Sequence, residues 1–224
     1  MTGSISSDIA GEAVSGVDDD LFHVINDFAR ATPWLHGIVY GYATYGVVLF
    51  AVLLLAGWWT ARRSGEPSGM AAALWAGIGT LVAVGLNQPI VSAVHEARPY
   101  NALSGILVLA DRSTDFSFPS DHATMVGAVA AGLFLVGPRL GSVAALAAAL
   151  MAFSRVYIAA HYPQDVLAGL VFGAVVVLLG WLLARSLLTA AVGLMQRSAL
   201  RPLVAASPTA GAALSAARDR GEVS

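Results

Sequence analysis

The stretch Ser154–Asp165, which reads SRVYIAAHYPQD, decides how this chain folds because it interrupts an otherwise apolar half of the sequence. Pro163 suits the first turn of a new helix and disfavours the helical region for the residue before it. The stretch therefore predicts one helix that ends before the turn and a second helix that begins at the proline. It also brings Arg155, His161 and Asp165 to one end of that helix pair. Charged groups at membrane depth are costly, and they indicate function.

The composition of the whole chain is that of a membrane protein. Of its 224 residues, 57% are hydrophobic and 12% are charged, and the mean hydropathy is +0.72. Soluble domains carry roughly 25% charged residues. The net charge of −2 and the lack of a basic stripe do not indicate a nucleic-acid partner. The chain has no cysteine, which excludes disulfides, thiolate catalysis and cysteine metal sites.

Apolar segments near the length needed to cross a bilayer, about 20 residues, predict five membrane-spanning helices. They cover approximately residues 38–60, 70–94, 122–136, 141–158 and 163–184. Residues 21–34 mix apolar and charged side chains, so we expect an interfacial or re-entrant amphipathic helix there. The predicted fold class is all-α, a polytopic membrane helix bundle. Small residues four apart, such as Gly169 and Gly173, indicate either close helix packing or ordinary membrane-helix composition.

The two ends of the chain are polar, and we expect little fixed structure in them. Residues 1–20 are acidic and are predicted to be a disordered lead, whereas residues 188–224 form a tail that is predicted to be mostly disordered. Residues 21–187 between them are predicted to form a single membrane domain. The oligomeric state is left open by the sequence.

All twelve basic residues are arginines, and their distribution predicts the orientation of the chain. The five spans place eight on one side of the membrane: Arg62, Arg63, Arg139, Arg185, Arg197, Arg201, Arg218 and Arg220. The other four lie on the opposite side: Arg30, Arg98, Arg112 and Arg155. The side with eight is predicted to be cytoplasmic, together with the C-terminal tail. Three short polar segments, which we call the polar islands and describe next, then all lie on the outer side of the membrane.

The first island is His95–Tyr100, at the end of the second predicted span. Arg98 can bind an oxyanion with two parallel hydrogen bonds, and Pro99 stops the helix beside it. The alternative is an interfacial charge that only marks the membrane boundary.

The second island is Phe118–Thr124, where the third predicted span begins. Ser120 is a good N-cap, and the first turn after it attracts anions. His122 in that turn could donate a proton to a leaving group. Asp121 fits best an ordinary acidic first turn, which is the alternative for the whole island.

The third island is the stretch quoted first. Asp165 falls in the first turn of the last predicted span, near His161. A carboxylate that accepts from one imidazole nitrogen leaves the other nitrogen free to attack, and Arg155 supplies charge for an anionic substrate. A surface loop with a His–Asp pair is the alternative.

Taken together, two arginines, two histidines, an orienting carboxylate and a helix N-terminus are what phosphoryl transfer requires. The chain offers no carboxylate cluster for Mg²⁺. We therefore expect no metal and no other cofactor, with the arginines supplying the positive charge.

These residues resemble the integral-membrane lipid phosphate phosphatases of the type-2 phosphatidic acid phosphatase superfamily. The family signature is K-x6-R-P, then P-S-G-H, then S-R-x5-H-x3-D. The third motif matches in full at Ser154–Asp165, and the second matches as Pro119–His122 with Asp121 in place of glycine. The first matches only at Arg98–Pro99, because Val91 stands where the family has lysine. The resemblance covers about residues 21–187.

The resemblance implies a role for each matching residue. His161 is then the nucleophile that forms a phosphohistidine, Asp165 orients it, and His122 is the general acid. The phosphate contacts fall to four residues at matching positions: Arg98, Arg155, Ser120 and Asp121. Three further side chains are candidates to replace the missing lysine: His95, Gln88 and Arg112.

The P-S-D-H form of the second motif, without a lysine in the first, is similar to the bacterial undecaprenyl pyrophosphate phosphatase branch. This implies a multi-pass hydrolase of the bacterial plasma membrane that removes the terminal phosphate of a polyprenyl diphosphate on the outer face, recycling a carrier for cell-wall glycans. Two enzymatic alternatives are phosphatases of phosphatidic acid or of phosphatidylglycerol phosphate. A non-catalytic membrane protein that binds lipid diphosphates is an alternative of another class.

Overall fold

The computed structural model describes residues 2–206 of the chain, with side chains described from Asp18 onward. The helices are α1 Thr2–Ala31, α2 His36–Tyr45, α3 Val47–Ser64, α4 Pro67–Val94, α5 Pro99–Ala102, α6 Asp121–Val136, α7 Pro138–Tyr157, α8 Pro163–Met195 and α9 Arg201–Val204. A 3-10 turn, Pro33–Leu35, joins α1 to α2. The predicted all-α membrane bundle is confirmed.

Helix α6 is the centre of the bundle, where α3, α4, α7 and α8 pack around it. Its residues 126–133 are buried without interruption, and Val126, Val129 and Leu133 belong to the main apolar core. It has 16 residues, about 24 Å of helix at 1.5 Å per residue. That is shorter than the roughly 30 Å of bilayer hydrocarbon. Asp121 and His122, in its first turn, line the polar cavity described below.

Four helices, α3, α4, α7 and α8, are long and apolar enough to cross a membrane. The first predicted span is in fact two helices, because the chain bends between α2 and α3 at Gly46. A Cβ atom at Gly46 would overlap the carbonyl oxygen of Tyr42 and approach the Met151 side chain at 2.7 Å. The bend therefore depends on glycine and seats α2 against α7.

Helices α6 and α8 approach each other closely through glycine. A Cβ atom at Gly169 would lie 2.6 Å from the carbonyl oxygen of Ser120, and one at Gly173 would overlap that of Thr124. On the facing side, a Cβ atom at Gly132 of α6 would lie 2.7 Å from the Cα atom of Ala76 in α4. Small residues at these helix interfaces let the backbones meet, as the four-residue spacing predicts.

Replacing Gly173 with alanine should destabilise the bundle, because the new methyl group meets backbone rather than a side chain that can move. We expect a loss of about 1–3 kcal/mol, the usual cost of overpacking. Thermal unfolding in detergent measures it. Gly77→Ala in α4 is the matched control, since a Cβ atom there has no neighbour within 4 Å. Equal midpoints for the two variants would contradict the close contact.

Both chain ends differ from the sequence-based prediction. Residues 2–20 continue the same helix as residues 21–31, where a disordered lead was expected. A carboxylate oxygen of Asp18 accepts a hydrogen bond from the backbone of Gln164 at 2.8 Å, which ties this part of α1 to the bundle. The helix also has no proline before Pro33. Such a tertiary contact cannot be read from an acidic segment alone.

The last span is longer than predicted, and the first part of the tail is packed. Helix α8 runs to Met195, eleven residues past the predicted end of the last span at residue 184, and Val192 and Val204 are buried. The indole of Trp58 donates to the carbonyl of Leu203 at 3.0 Å. The remainder of the predicted disordered tail, residues 207–224, lies outside the described residues.

The two ends of the bundle differ in chemistry. We call the end formed by the C-terminus of α4, the N-terminus of α6 and the α7–α8 junction the site end, because all three polar islands lie there. The opposite end holds the α3–α4 turn and the packed tail, where the amide of Ala206 donates to the carbonyl of Arg62 at 2.9 Å. Arg62 and Arg63 stack there on Trp59.

Candidate active site

The site end contains a cavity of about 240 Å³ to which all three islands contribute. The loop between α5 and α6, residues 103–120, provides the rest of the wall. The lining residues are Arg98, Asp111, Ser113, Asp115, Phe116, Pro119, Asp121, His122, Arg155 and His161. Two histidines and two arginines that are far apart in sequence therefore face one small polar space.

His161 lies at the back of this cavity, in the turn between α7 and α8, and its side chain is 2% exposed. Its Nδ1 atom is 2.9 Å from the carbonyl oxygen of Ser117, which can only accept a hydrogen bond. Its Nε2 atom is 3.1 Å from a guanidinium nitrogen of Arg98, which can only donate. These partners assign the proton to Nδ1 and leave the lone pair of Nε2 on the side of the arginine.

Asp165 is close to His161 but is not its nearest acceptor. Its Oδ2 atom lies 3.5 Å from the Nδ1 atom of His161, compared with 2.9 Å for the carbonyl of Ser117. The same carboxylate oxygen accepts from the backbone of Tyr162 at 2.8 Å and from the Ser117 hydroxyl at 2.5 Å. It thereby caps the N-terminus of α8. The structure places both acceptors on one edge of the imidazole, and Ser117 touches both groups.

Ser117 is the site residue that sequence reasoning missed. It is fully buried, and its carbonyl and hydroxyl groups contact His161 and Asp165 respectively. Its own amide donates to the carbonyl of Glu96 at 2.8 Å, which anchors the loop to the first island. A serine one residue before Phe118-Pro119 gives little signal by itself, because its role depends on the path of the loop.

Replacing Ser117 with alanine should lower kcat about tenfold, because Asp165 loses one of the two donors that hold its buried carboxylate. That factor corresponds to one hydrogen bond to a charged group. The carbonyl contact to His161 remains, so the enzyme should keep measurable activity. Ser104→Ala, an exposed serine in the same loop, is the matched control. Wild-type turnover in both variants would exclude a role for the hydroxyl group.

The two arginines are held differently. Arg98 is buried, and its guanidinium pairs with the Asp115 carboxylate at 3.2 Å and donates to the carbonyl of Ala160 at 3.0 Å. Arg155 has one contact, at 3.4 Å, to the carbonyl of Ala43, and its Nε atom is buried without a partner among the described residues. Arg155 can therefore direct donors to an anion in the cavity.

The second island forms the opposite wall. Ser120 caps α6 by accepting from the amide of Ala123 at 3.4 Å, as predicted, and it is fully buried behind the cavity. His122 faces the cavity and is half-buried. Asp121 also lines the cavity, but one of its oxygens accepts from the side-chain amides of Asn87 at 2.7 Å and Gln88 at 2.8 Å. Two neutral amides of α4 thus hold this carboxylate.

Of the three candidates for the missing lysine, none supplies a charge to the cavity wall. His95 ends α4 with a left-handed backbone and packs its ring against Phe116, with 4.5 Å between ring centroids. Arg112 lies over the ring of Tyr100 at 5.5 Å. Gln88 reaches the site only through Asp121. His95 and Arg112 are not among the residues that line the cavity, and a role for either in place of the lysine stays a prediction.

Burial and positive charge act on the nucleophile candidate in the same direction. Burial, followed by the charges of Arg155 and Arg98, holds the pKa of His161 well below its ordinary value. The imidazole is therefore neutral over the physiological range. Burial alone would raise the pKa of Asp115, but its hydrogen bond to Ser113 and the charge of Arg98 lower it on balance. A neutral histidine keeps a lone pair for attack, and the fixed guanidinium groups beside it attract an anion. The arrangement therefore suits nucleophilic attack on an anionic group.

Known proteins match both this sequence and this fold. The undecaprenyl-diphosphatase BcrC of Bacillus subtilis is 30% identical over 166 residues, which cover 74% of this chain and 82% of that protein. An undecaprenyl-diphosphatase of Sulfolobus acidocaldarius is 30% identical over 172 residues, covering 74% and 78%. The fold is similar to that of a transmembrane PAP2-type phosphatidylglycerolphosphate phosphatase from Bacillus subtilis, with a TM-score of 0.52 and 24% identity over 75% of this chain and 84% of that one.

The family model of the PAP2 superfamily matches residues 72–188, a range that contains all three islands. The apolar helices agree with this membership, because at least four of them can cross a membrane. The chain belongs to the PAP2 superfamily and is a membrane lipid phosphatase.

Proposed function

We propose that this phosphatase removes the terminal phosphate of a polyprenyl diphosphate, of undecaprenyl or decaprenyl length, through a phosphohistidine on His161. The observation that carries the mechanism is the buried imidazole, which is held at Nδ1 by Ser117 and has Nε2 directed at Arg98. The substrate class is supported by the 30% identity to two undecaprenyl-diphosphatases.

In the first step the terminal phosphate lies between Arg98 and Arg155, and Arg98 exchanges its contact with Nε2 for a phosphate oxygen. The Nε2 lone pair attacks phosphorus, and the bond from phosphorus to the bridging oxygen breaks. For this step His122 must carry a proton, which it gives to that oxygen as the lipid monophosphate leaves. The positive charge that develops on the His161 ring is stabilised at Nδ1 by the Ser117 carbonyl and Asp165.

In the second step a water molecule attacks the phosphorus of the phosphohistidine. The now neutral His122 accepts a proton from the water, and the bond between Nε2 and phosphorus breaks. Inorganic phosphate leaves, and both histidines return to their starting states. Throughout, the two guanidinium groups balance the charge on the non-bridging oxygens, which is the role that metal ions have in other phosphoryl transfer enzymes. We therefore expect activity in the presence of a chelator.

A panel of substrates tests this function. Purified full-length protein in detergent is given C50 or C55 polyprenyl diphosphate, phosphatidic acid or phosphatidylglycerol phosphate, each with and without EDTA. We expect the highest kcat/KM for the polyprenyl diphosphate and no effect of EDTA. Preference for either glycerolipid would reassign the substrate, and binding of the diphosphate without phosphate release would favour the non-catalytic alternative. Loss of activity with EDTA would overturn the metal-free mechanism.

We also propose that the site end faces the extracytoplasmic side of the plasma membrane and that the tail is cytoplasmic. The support is the excess of arginines at the opposite end of the bundle. Because the chain has no cysteine, single cysteines can report orientation in whole cells. Ser104→Cys in the site-end loop should react with a membrane-impermeant maleimide, and Ser198→Cys should react only after lysis. The reverse pattern would invert the topology.

The activity should depend on pH in a bell shape whose acid limb lies unusually low. Protonation of His161 removes the attacking lone pair, and the pKa of His161 is lowered by burial and by the charges of Arg155 and Arg98. The acid limb of kcat/KM is therefore expected below the pH at which an ordinary histidine protonates. Arg155→Gln removes one of these charges and should move that limb to higher pH. The two limbs belong to the coupled histidine pair, and a flat profile would count against it.

A further inference from the structure

Helix α1 lies outside the part of the chain that the family model matches, yet it contacts the loop that carries Ser117. Its buried residues Asp18, Phe22, Asn26 and Ala29 lie on one face of the helix, whereas its opposite face is exposed. Phe22 packs against Tyr162 with 5.6 Å between ring centroids. This face therefore rests against both the loop and the start of α8.

Asn26 is the polar centre of this contact. Its side-chain amide donates to the carbonyl of Leu107 at 2.8 Å, and its side-chain oxygen accepts from the amide of the same residue at 2.9 Å. The side chain is thus paired with the backbone of the loop as a neighbouring strand would be. Asn26 is 1% exposed. Loss of either partner would leave a buried polar group without a hydrogen bond, which destabilises the pairing of α1 with the loop.

The loop segment that Asn26 holds is also paired with the turn that carries the nucleophile. The amides of Leu109 and Ala110 donate to the carbonyl of Ile158 at 3.2 Å and 2.9 Å. Two residues further on, the carbonyl of Ala160 accepts from Arg98, and the next residue is His161. Segment 106–110 is therefore held between α1 on one side and the 158–161 turn on the other.

We infer that Asn26 is a positioning residue for the phosphatase reaction: it holds segment 106–110 against the 158–161 turn and so fixes His161 and Arg98 relative to the cavity. Asp18, on the same face of α1, supports this arrangement by accepting from the amide of Gln164, next to Asp165. The inference rests on the proposed role of His161 as nucleophile. It gives α1 a function in turnover rather than in membrane attachment alone.

Kinetics of Asn26→Ala test the inference on the full-length enzyme in detergent. A small misplacement of reacting groups can lower turnover by about 100-fold. We expect kcat to fall between about 10-fold and 100-fold, with KM changed less than about threefold, because the guanidinium of Arg155 is hydrogen-bonded to Ala43 and not to the turn that Asn26 holds. Asp20→Ala, an exposed polar residue on the same helix, is the matched control. A kcat within about twofold of that control overturns the inference.

Hydrogen–deuterium exchange gives a readout that does not depend on the substrate. Peptides covering residues 104–111 and 156–162 should exchange faster in Asn26→Ala than in Asp20→Ala, while peptides from α6 stay unchanged. If Asn26→Ala does not fold, the wild-type protein decides, because rapid exchange of Leu107 and Ala110 would show that the pairing does not exist. An active His161→Ala enzyme would overturn the proposed function instead, and the exchange result would still decide whether Asn26 holds the loop.

Discussion

Replacing His161 with alanine should abolish phosphate release, with kcat at least about 10⁴-fold below wild type, the range seen when a catalytic nucleophile is removed. Among the described residues that line the cavity, the only other imidazole is that of His122, which the proposed mechanism uses as the acid. His122 is on the opposite wall of the cavity, and the hydroxyl group of Ser117 is committed to Asp165. Arg98 and Arg155 would still bind phosphate, so affinity for substrate should change much less than turnover.

The measurement pairs turnover with detection of the covalent intermediate. Wild-type enzyme given a radiolabelled terminal phosphate and quenched rapidly in base should carry an acid-labile label on His161. The alanine variant should carry none while still binding the lipid. His23→Ala, an exposed histidine on α1, is the control and should keep wild-type activity. Turnover above one tenth of wild type in His161→Ala would exclude the phosphohistidine route.

The sequence predicts the parts of this protein that depend on residue type and spacing. Apolar length finds the helices of the bundle, although the first predicted span is two helices and the third, α6, is shorter than the four that can cross a membrane in the described part of the chain. Pro163 begins α8 as expected. Ser120 caps α6, and Arg98, His122, Arg155 and His161 meet at one cavity. These side chains are informative because each is costly in an apolar bundle unless it has a function there.

The features of the site that the sequence does not predict are those that depend on the path of the loop between α5 and α6. Ser117 contacts His161 through its backbone carbonyl, which any residue has, and Asp165 through its hydroxyl group, and both contacts depend on the loop rather than on a residue pattern. The pairing of Asn26 with Leu107 joins positions 81 residues apart. His95 and Arg112 have suitable chemistry but are turned towards Phe116 and Tyr100 by the backbone. Chemical type therefore identifies candidates, whereas the loop decides which of them reach the substrate.

The position of the missing family lysine shows again that residue type alone does not predict which side chains reach the cavity. Its position is taken by Val91, and the nearby polar groups of α4, Asn87 and Gln88, bind Asp121 rather than the cavity. Asp121 stands where many relatives have glycine. The neutral amides of Asn87 and Gln88 thus satisfy this carboxylate at the start of α6. In the proposed mechanism, the charge on the phosphate is therefore balanced by Arg98 and Arg155, the two arginines that line the cavity in the described part of the chain.

Replacing His122 with alanine should lower turnover of the lipid substrate by about 10²–10⁴-fold, the usual contribution of a general acid or base. The size of the loss should depend on the leaving group. With p-nitrophenyl phosphate, whose phenolate leaves without a proton, the first step should be nearly unaffected. The second step still needs His122 to accept a proton from water. The variant should therefore release about one equivalent of p-nitrophenol rapidly and then turn over slowly.

This burst distinguishes the role of His122 from that of His161, whereas a loss of activity alone does not. His122→Ala should accumulate label on His161 during the burst, whereas the double variant with His161→Ala should show neither burst nor label. Because both residues line the same cavity, a purely structural effect of His122→Ala would weaken both steps to a similar extent. A variant that loses activity on both substrates to the same extent, without accumulating label, would mean that His122 does not transfer the proton. The proton for the leaving oxygen would then have to come from water in the cavity, and the site would depend on the two arginines more than on acid catalysis.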